Sequence, residues 1–368
     1  AFYVMGKTTM LRKTKNVKDV NSIGSMGEKT IIGEQSSFKG SIQSNEDLVI
    51  NGSVKGNIRL KNNHLIIGPE GQVEADIYAQ NISIKGQLIG NIEALSNVEI
   101  TKEADFRGGI KAKHIVIEDG SFLKAAIELV REPQAQRTPL DTISQEEEDE
   151  SEDELMTMPQ KAESSAIPKH LDKEDISLDP EKVNYTNNII RLFIKSLARQ
   201  QNNEILDIGP VCADNINFLA RHVKTLYVCD MFLQRNQQWS KSLPMSKFWV
   251  HLDYPPQSFD GILLWNLIDY LEDSEMSKLV ELCKEMLRSH GLLMVFSMDK
   301  QATQTGTHSF VISDDYRLNL RPQPHLDLPF HMRHSREVLD LLAPFTLIKS
   351  LIHHTGLRQL LFQRDAHA

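Results

Sequence analysis

Residues 31–128 repeat. An apolar residue, three mostly small or polar ones and a second apolar residue recur as Phe38…Ile42, Val54…Ile58, Val73…Ile77, Leu88…Ile92 and Phe106…Ile110, with Phe122…Ala126 a weaker last copy. The copies start 16, 19, 15, 18 and 16 residues apart. Between them lie β-branched runs: Leu48-Val49-Ile50, Leu65-Ile66-Ile67, Ile82-Ser83-Ile84, Val98-Glu99-Ile100 and Ile115-Val116-Ile117. Turn residues such as Asn51-Gly52, Gly68 and Asp119-Gly120 punctuate each copy. Short β runs at a fixed period indicate a repeat architecture. A period of about 16–18 residues suits one turn of a three-sided β-solenoid, whose inward Ile and Val stack coil upon coil. Between Thr30 and Leu129 there is one proline, Pro69. That scarcity fits, because proline cannot donate to a ladder. A left-handed hexapeptide β-helix would want strict multiples of six, and an ordinary β-sandwich is the other competitor.

This stretch resembles the bactofilins, the bacterial polymer-forming cytoskeletal family. The resemblance lies in Ile31-Ile32-Gly33-Glu34, in Ser37-Phe38-Lys39-Gly40-Ser41-Ile42 and in the run from Glu46 to Ile58 (EDLVINGSVKGNI). It implies a right-handed triangular β-helix that polymerises end to end without nucleotide. It also implies a scaffold for cell shape or for envelope and cell-wall enzymes, in some members held at the inner membrane by a short N-terminal tail. Elementary physics points the same way. An uncapped solenoid has two open ends with unpaired backbone groups and exposed core side chains. Phe38 at one end and Phe122 at the other are the candidate polymer interface, the partner being a second copy of the chain.

From about Val183 the pattern changes to alternating strands and helices. Asn187–Arg199 has helical spacing. Strands are expected at Glu204–Gly209, Thr225–Asp230, Phe248–Leu252, Phe259–Trp265 and Gly291–Phe296, and helices at Ile216–His222 and Glu272–Ser289. Such alternation predicts a doubly wound, Rossmann-like α/β domain with its ligand crevice at the C-terminal ends of the strands. Polar residues fall at those ends: Asp207 and Gly209, Asp230, Asp253 and Asn266. Asp230 stands 23 residues after Asp207, an offset at which an acid can bond a ribose diol. There is no G-x-G-x-x-G, so a nucleoside without pyrophosphate fits better than a dinucleotide.

Together these residues look like a class I S-adenosylmethionine-dependent methyltransferase. The pieces are Leu206-Asp207-Ile208-Gly209-Pro210, Leu226-Tyr227-Val228-Cys229-Asp230, Ser258-Phe259-Asp260-Gly261-Ile262-Leu263 and the run from Met286 to Leu293. The resemblance implies S-adenosylmethionine as cofactor. Gly209 would let the backbone approach it, Asp207 would order its amino-acid moiety, Asp230 would take the ribose hydroxyls and Asp253 would contact the adenine amino group. The family's second glycine is missing from Gly209-Pro210-Val211-Cys212, and Asn215 is the residue that would compensate. Asn266 and Tyr270 lie near the same edge, but the sequence offers no dedicated general base.

The net charge of −9 comes almost wholly from one run, Glu146–Glu154, without whose eight acids the chain would carry −1. No basic patch suggests a nucleic-acid partner. Cys212, Cys229 and Cys283 form no C-x-x-C pair. They suggest neither a metal site nor a disulfide scaffold, and suit a reducing cytoplasm. The expected organisation is a basic tail over 1–29, a β-helix over 30–130, an acidic linker over 131–182 and an α/β domain over 183–368. Lys7, Arg12, Lys13, Lys15 and Lys18 give the tail a charge suited to an anionic membrane surface. The true start is open between Ala1 and Met5. Two functions follow: a self-assembling scaffold carrying a degenerate methyltransferase-like module, or a methyltransferase localised by the polymer. An open Gly209 pocket would favour the enzyme and a blocked one the scaffold.

Overall fold

The computed structural model describes residues 29–130, 188–199, 202–298, 307–353 and 356–366. The acidic linker over 131–182 and all of the basic tail except Lys29 lie outside the described residues.

The first half is a β-solenoid with three faces. Its strands are β1 (Lys29–Ile32), β2 (Ser37–Ser44), β3 (Asp47–Ile50), β4 (Ser53–Leu60), β5 (His64–Ile67), β6 (Gln72–Ile84), β7 (Gln87–Ile89), β8 (Ile92–Ile100), β9 (Asp105–Ala112), β10 (His114–Ile117) and β11 (Phe122–Leu129). Each coil pairs in parallel with the next. On one face the order is β2-β4-β6-β7-β9-β11, and on another it is β1-β3-β5-β6-β8-β10. The register aligns one isoleucine column through the stack: Ile42, Ile58, Ile77, Ile92, Ile110 and Ile127. All of these but Ile42, in the first coil, are buried. Each such side chain contributes roughly 1.5–3 kcal/mol by leaving water. The long strands bend between two faces at a corner that requires glycine: Gly56 has φ +136°, and a Cβ there would overlap the Gly40 carbonyl.

The last copy sits one residue from where the sequence pattern puts it. Leu123 pairs with Phe106 and Ile127 with Ile110, whereas Phe122 pairs with Asp105. A slip of one residue exchanges the two faces of a strand. Leu123 therefore fills the core column and Phe122 points out of the solenoid, although it is only 5% exposed.

The second half holds α1 (Asn188–Leu197), β12 (Glu204–Ile208), α2 (Ala213–Ala220), β13 (Thr225–Cys229), α3 (Met231–Ser240), α4 (Met245–Trp249), β14 (Phe259–Leu264), α5 (Asp273–Met286), β15 (Leu287–Met298), β16 (His308–Ile312), β17 (Leu318–Pro322), α6 (Ser335–Leu341), β18 (Thr346–Ile352) and β19 (Leu357–Gln363). It is a doubly wound α/β domain. Strands β13, β12, β14 and β15 lie side by side and parallel, followed by β19 and β18 in antiparallel pairing. Strand β14 is buried along its whole length, as expected for a parallel sheet covered on both faces.

One expected strand is absent. Phe248–Leu252 forms the end of α4 and a 3-10 turn (Val250–Leu252), entered from Pro244. The edge of β13 that such a strand would have taken pairs instead with β11 of the solenoid, antiparallel, with Lys124 opposite Cys229 and Ile127 opposite Leu226. One continuous sheet thus runs from the last coil into the α/β domain.

Candidate functional site

The strand ends bring Asp207, Gly209, Asp230 and Asn266 into the buried interior of the α/β domain, but they face the chain itself. Trp265 follows β14 directly and is buried. Its indole stacks on Phe296 at 4.6 Å between ring centroids and on Phe310 at 6.1 Å. Its Nε1–H donates to Asp207 Oδ1 at 2.5 Å. Gly209 lies against the same ring, and a Cβ there would overlap Trp265 Cδ1. The glycine therefore provides the close approach that the sequence suggests, and the group that makes the approach is an indole.

Asp230 and Asn215 are similarly engaged. Asp230 caps the N-terminus of α3, accepting from Leu233 N at 2.8 Å, and its other oxygen accepts from Val211 N at 3.3 Å. Asn215 donates through Nδ2 to the Phe310 carbonyl at 2.6 Å and accepts from Ile312 N at 2.7 Å, which ties the β16–β17 hairpin to α2. Asn266 is buried, with Oδ1 left unpartnered among the described residues. Asp253 is exposed at the end of the 3-10 turn. Burial pushes the carboxyls of Asp207 and Asp230 up to about 7. The sequence reading missed Trp265 as the organising residue.

These residues do not fit S-adenosylmethionine as they stand. The acceptors meant for its amino group and ribose are bonded to the protein's own N–H groups, and the glycine cradle is filled by Trp265. The exceptions are the orphan Oδ1 of Asn266 and the exposed Asp253.

A groove of about 1300 Å³ lies elsewhere, along the solenoid face that the isoleucine column from Ile58 to Ile127 underlies, past the glycine corner of the long strands. Asn57, Asp76 and Asn91 line it, and it ends at Glu204 and Tyr227 of the α/β domain.

The two ends of the solenoid differ. In the first coil β1 pairs only with β3 and β2 only with β4 among the described residues. Ile31 is 62% exposed there, and Phe38 and Ile42 are half-buried. At the other end Phe122 packs edge-on against His251 at 6.0 Å between centroids, with the Arg107 guanidinium 4.9 Å from its ring centre. The candidate interface residue Phe122 is thus covered by the α/β domain, while Phe38 lies at the open end.

The family model for bactofilins, described as polymer-forming cytoskeletal, matches residues 30–128. Bactofilin BacN of Myxococcus xanthus is 47% identical over 103 residues, which are 28% of this chain and 90% of that protein. Bactofilin BacO of the same organism is 43% identical over 100 residues, 27% of this chain and 79% of that protein. The chain belongs to the bactofilin family. Its likeness to these bactofilins lies in the solenoid. Solved structures similar to this chain include a SAM-dependent methyltransferase from Methanosarcina mazei, at 14% identity and a TM-score of 0.29, covering 49% of this chain and 98% of that one. Another is an S-adenosylmethionine-dependent methyltransferase from Clostridium acetobutylicum, at 10% identity and a TM-score of 0.34, covering 51% of this chain and 93% of that one. The architecture of the second half stands on its own strand order.

Proposed function

We propose that this chain is a self-associating scaffold whose β-solenoid joins other copies through its first coil, without nucleotide, and whose α/β domain is a docked module that no longer works as a methyltransferase. The observation that carries this is the asymmetry of the solenoid ends. The first coil leaves Ile32, Phe38 and Ile42 incompletely covered, whereas the matching Ile50, Val54 and Ile58 one coil further in are fully buried. A second copy would complete that core and pair the open strand edges. The filling of the Gly209 cradle by Trp265 supports the second half of the reading. The scaffold would gather envelope or cell-wall enzymes, and the basic tail would bring it to the anionic inner face of a membrane.

Two measurements on the full chain test this. Sedimentation without nucleotide should give species larger than one chain, and Phe38→Glu, at the open core end, should reduce them to single chains. Calorimetric titration with S-adenosylmethionine should give no binding heat. Binding in the wild type that disappears in Asp230→Asn would restore the enzyme reading, in which the α/β domain methylates an acceptor and the solenoid only localises it.

A further inference from the structure

The last coil is closed by the chain's own α/β domain. Beyond the β11–β13 ladder, Asp230 N donates to the Leu123 carbonyl at 3.2 Å and Thr225 Oγ1 to Glu128 at 3.2 Å. The ammonium of Lys124 lies 5.0 Å from the centre of the Tyr254 ring. A neighbouring side of the coil is engaged too. Asn217 Nδ2 donates to the Ile115 carbonyl of β10 at 3.2 Å, and Arg321 pairs with Asp119 in the following turn at 3.3 Å. Strand β13 thus occupies the edge where the next coil of another copy would add. Coil-to-coil pairs in the solenoid are parallel, β13 runs antiparallel, and its far edge is taken by β12. The stack ends there.

We infer that the α/β domain is the end cap of its own solenoid. The docked chain then associates with one second copy, first coil against first coil, and growth beyond two chains waits on the cap leaving β11. This rests on the self-association proposed above. With one end sealed, a symmetric contact between the two remaining ends closes the assembly, since the same patch serves both partners. Phe122, turned outward and shielded by His251, is covered by the cap and not by a neighbouring chain.

The full chain tests docking and assembly separately. Lys124→Cys sets a thiol directly opposite the native Cys229 across the ladder, at a separation within reach of a disulfide. Mild oxidation should join the two within one chain. In sedimentation the wild type should have the mass of two chains at micromolar concentration. His251→Lys combined with Arg321→Glu changes only the cap. It sets a cation against Arg107 and Lys124 and an anion against Asp119, and against Asp214 within the cap itself, and should convert two-chain species to pelleting filaments. Oxidised Lys124→Cys should stay at two chains. Failure of the disulfide to form, or pelleting of the oxidised protein, would overturn the cap. A double variant that folds yet stays at two chains would overturn its control of growth. A disulfide that forms in a chain monomeric at every concentration would overturn the two-chain assembly and the self-association reading with it, leaving the docking itself demonstrated.

Discussion

Gly209 and Trp265 share one space: the indole lies where any side chain at position 209 would have to go. Gly209→Ala therefore overpacks a buried ring that is also held in a stack with Phe296. Overpacking of this kind costs about 1–3 kcal/mol. Trp265→Phe keeps the stack but removes the Nε1–H donor from the buried Asp207 carboxyl. Leaving a buried acceptor unsatisfied costs about 1–3 kcal/mol. Chemical denaturation followed by tryptophan fluorescence for Gly209→Ala, and by circular dichroism for Trp265→Phe, should show both losses in the α/β transition. Equal stability of Trp265→Phe and wild type would mean that the indole does not hold Asp207.

Asn215 joins two parts of the α/β domain that are far apart in sequence. It satisfies the carbonyl of Phe310 and the N–H of Ile312 with one side chain. Asn215→Ala leaves both backbone groups unpaired at a buried position. The expected effect is a loss of about 1–3 kcal/mol per orphaned group and faster hydrogen exchange at the Ile312 amide. Unchanged exchange at Ile312 would show that the hairpin is held elsewhere. A residue singled out from sequence as a replacement for a missing glycine thus has a different task.

Much of the fold could be read in advance because it rests on local repetition. Each solenoid coil repeats its β-branched run and turn residues, so one period fixes the architecture. The last coil was ambiguous for a local reason: Phe122 and Leu123 are adjacent and both apolar, and Ala125, Ala126 and Ile127 do not settle the register between them. The register shows in the β9–β11 pairing. The missing strand at Phe248–Leu252 failed for a tertiary reason. A short apolar run takes its conformation from its partners, and here the sheet edge is occupied by β11. At the strand ends, position identified Asp207, Gly209 and Asp230, because these residues close strands of a parallel sheet. The contact of Trp265 with Asp207 and Gly209 was hidden, since the ring comes from the end of β14, beside β12 in the sheet, and is held by Phe296 and Phe310 from further along the chain.

The buried acids set a pH dependence. Asp207, Asp230 and Asp269 are pushed up to about 7, in each case chiefly by burial. A carboxyl raised in the folded state binds protons that the unfolded chain has already released above about pH 4. Its contribution is whole below that pH and is lost as pH rises through 7. His251 acts in the opposite sense: burial, then Arg107 and Lys124, hold it down at about 4. Its contribution is therefore present above about pH 6.5 and fades as pH falls toward 4. His325 is also held down, chiefly by burial, and three carboxyls outweigh the two imidazoles between pH 6 and 8. The thermal midpoint of the α/β domain should be lower at pH 8 than at pH 6 by several degrees, given that about 1 kcal/mol moves a domain of this size by about 2–4 °C. Asp207→Asn should flatten the slope. A midpoint that rises with pH over that interval would contradict the burial of these groups.

The register of the last coil separates two neighbouring residues by function. Leu123 lies in the same inward column as Phe106, Leu88 and Val73, and it is fully buried in the solenoid core. Leu123→Ala should open a cavity there and cost about 2–5 kcal/mol, lowering the solenoid transition. Phe122 points the other way, and its burial comes from His251 and Arg107. Phe122→Ala should leave the solenoid transition unchanged while loosening the contact with the α/β domain. Hydrogen exchange at the amides of β11 and β13 distinguishes the two. Phe122→Ala should speed exchange at the Leu226 and Val228 amides and spare Ile110 and Ile92, which lie deeper in the stack. Leu123→Ala should speed exchange at Ile110 as well. Equal losses in both variants would mean that Phe122, too, belongs to the core column, and the register would have to shift back by one residue.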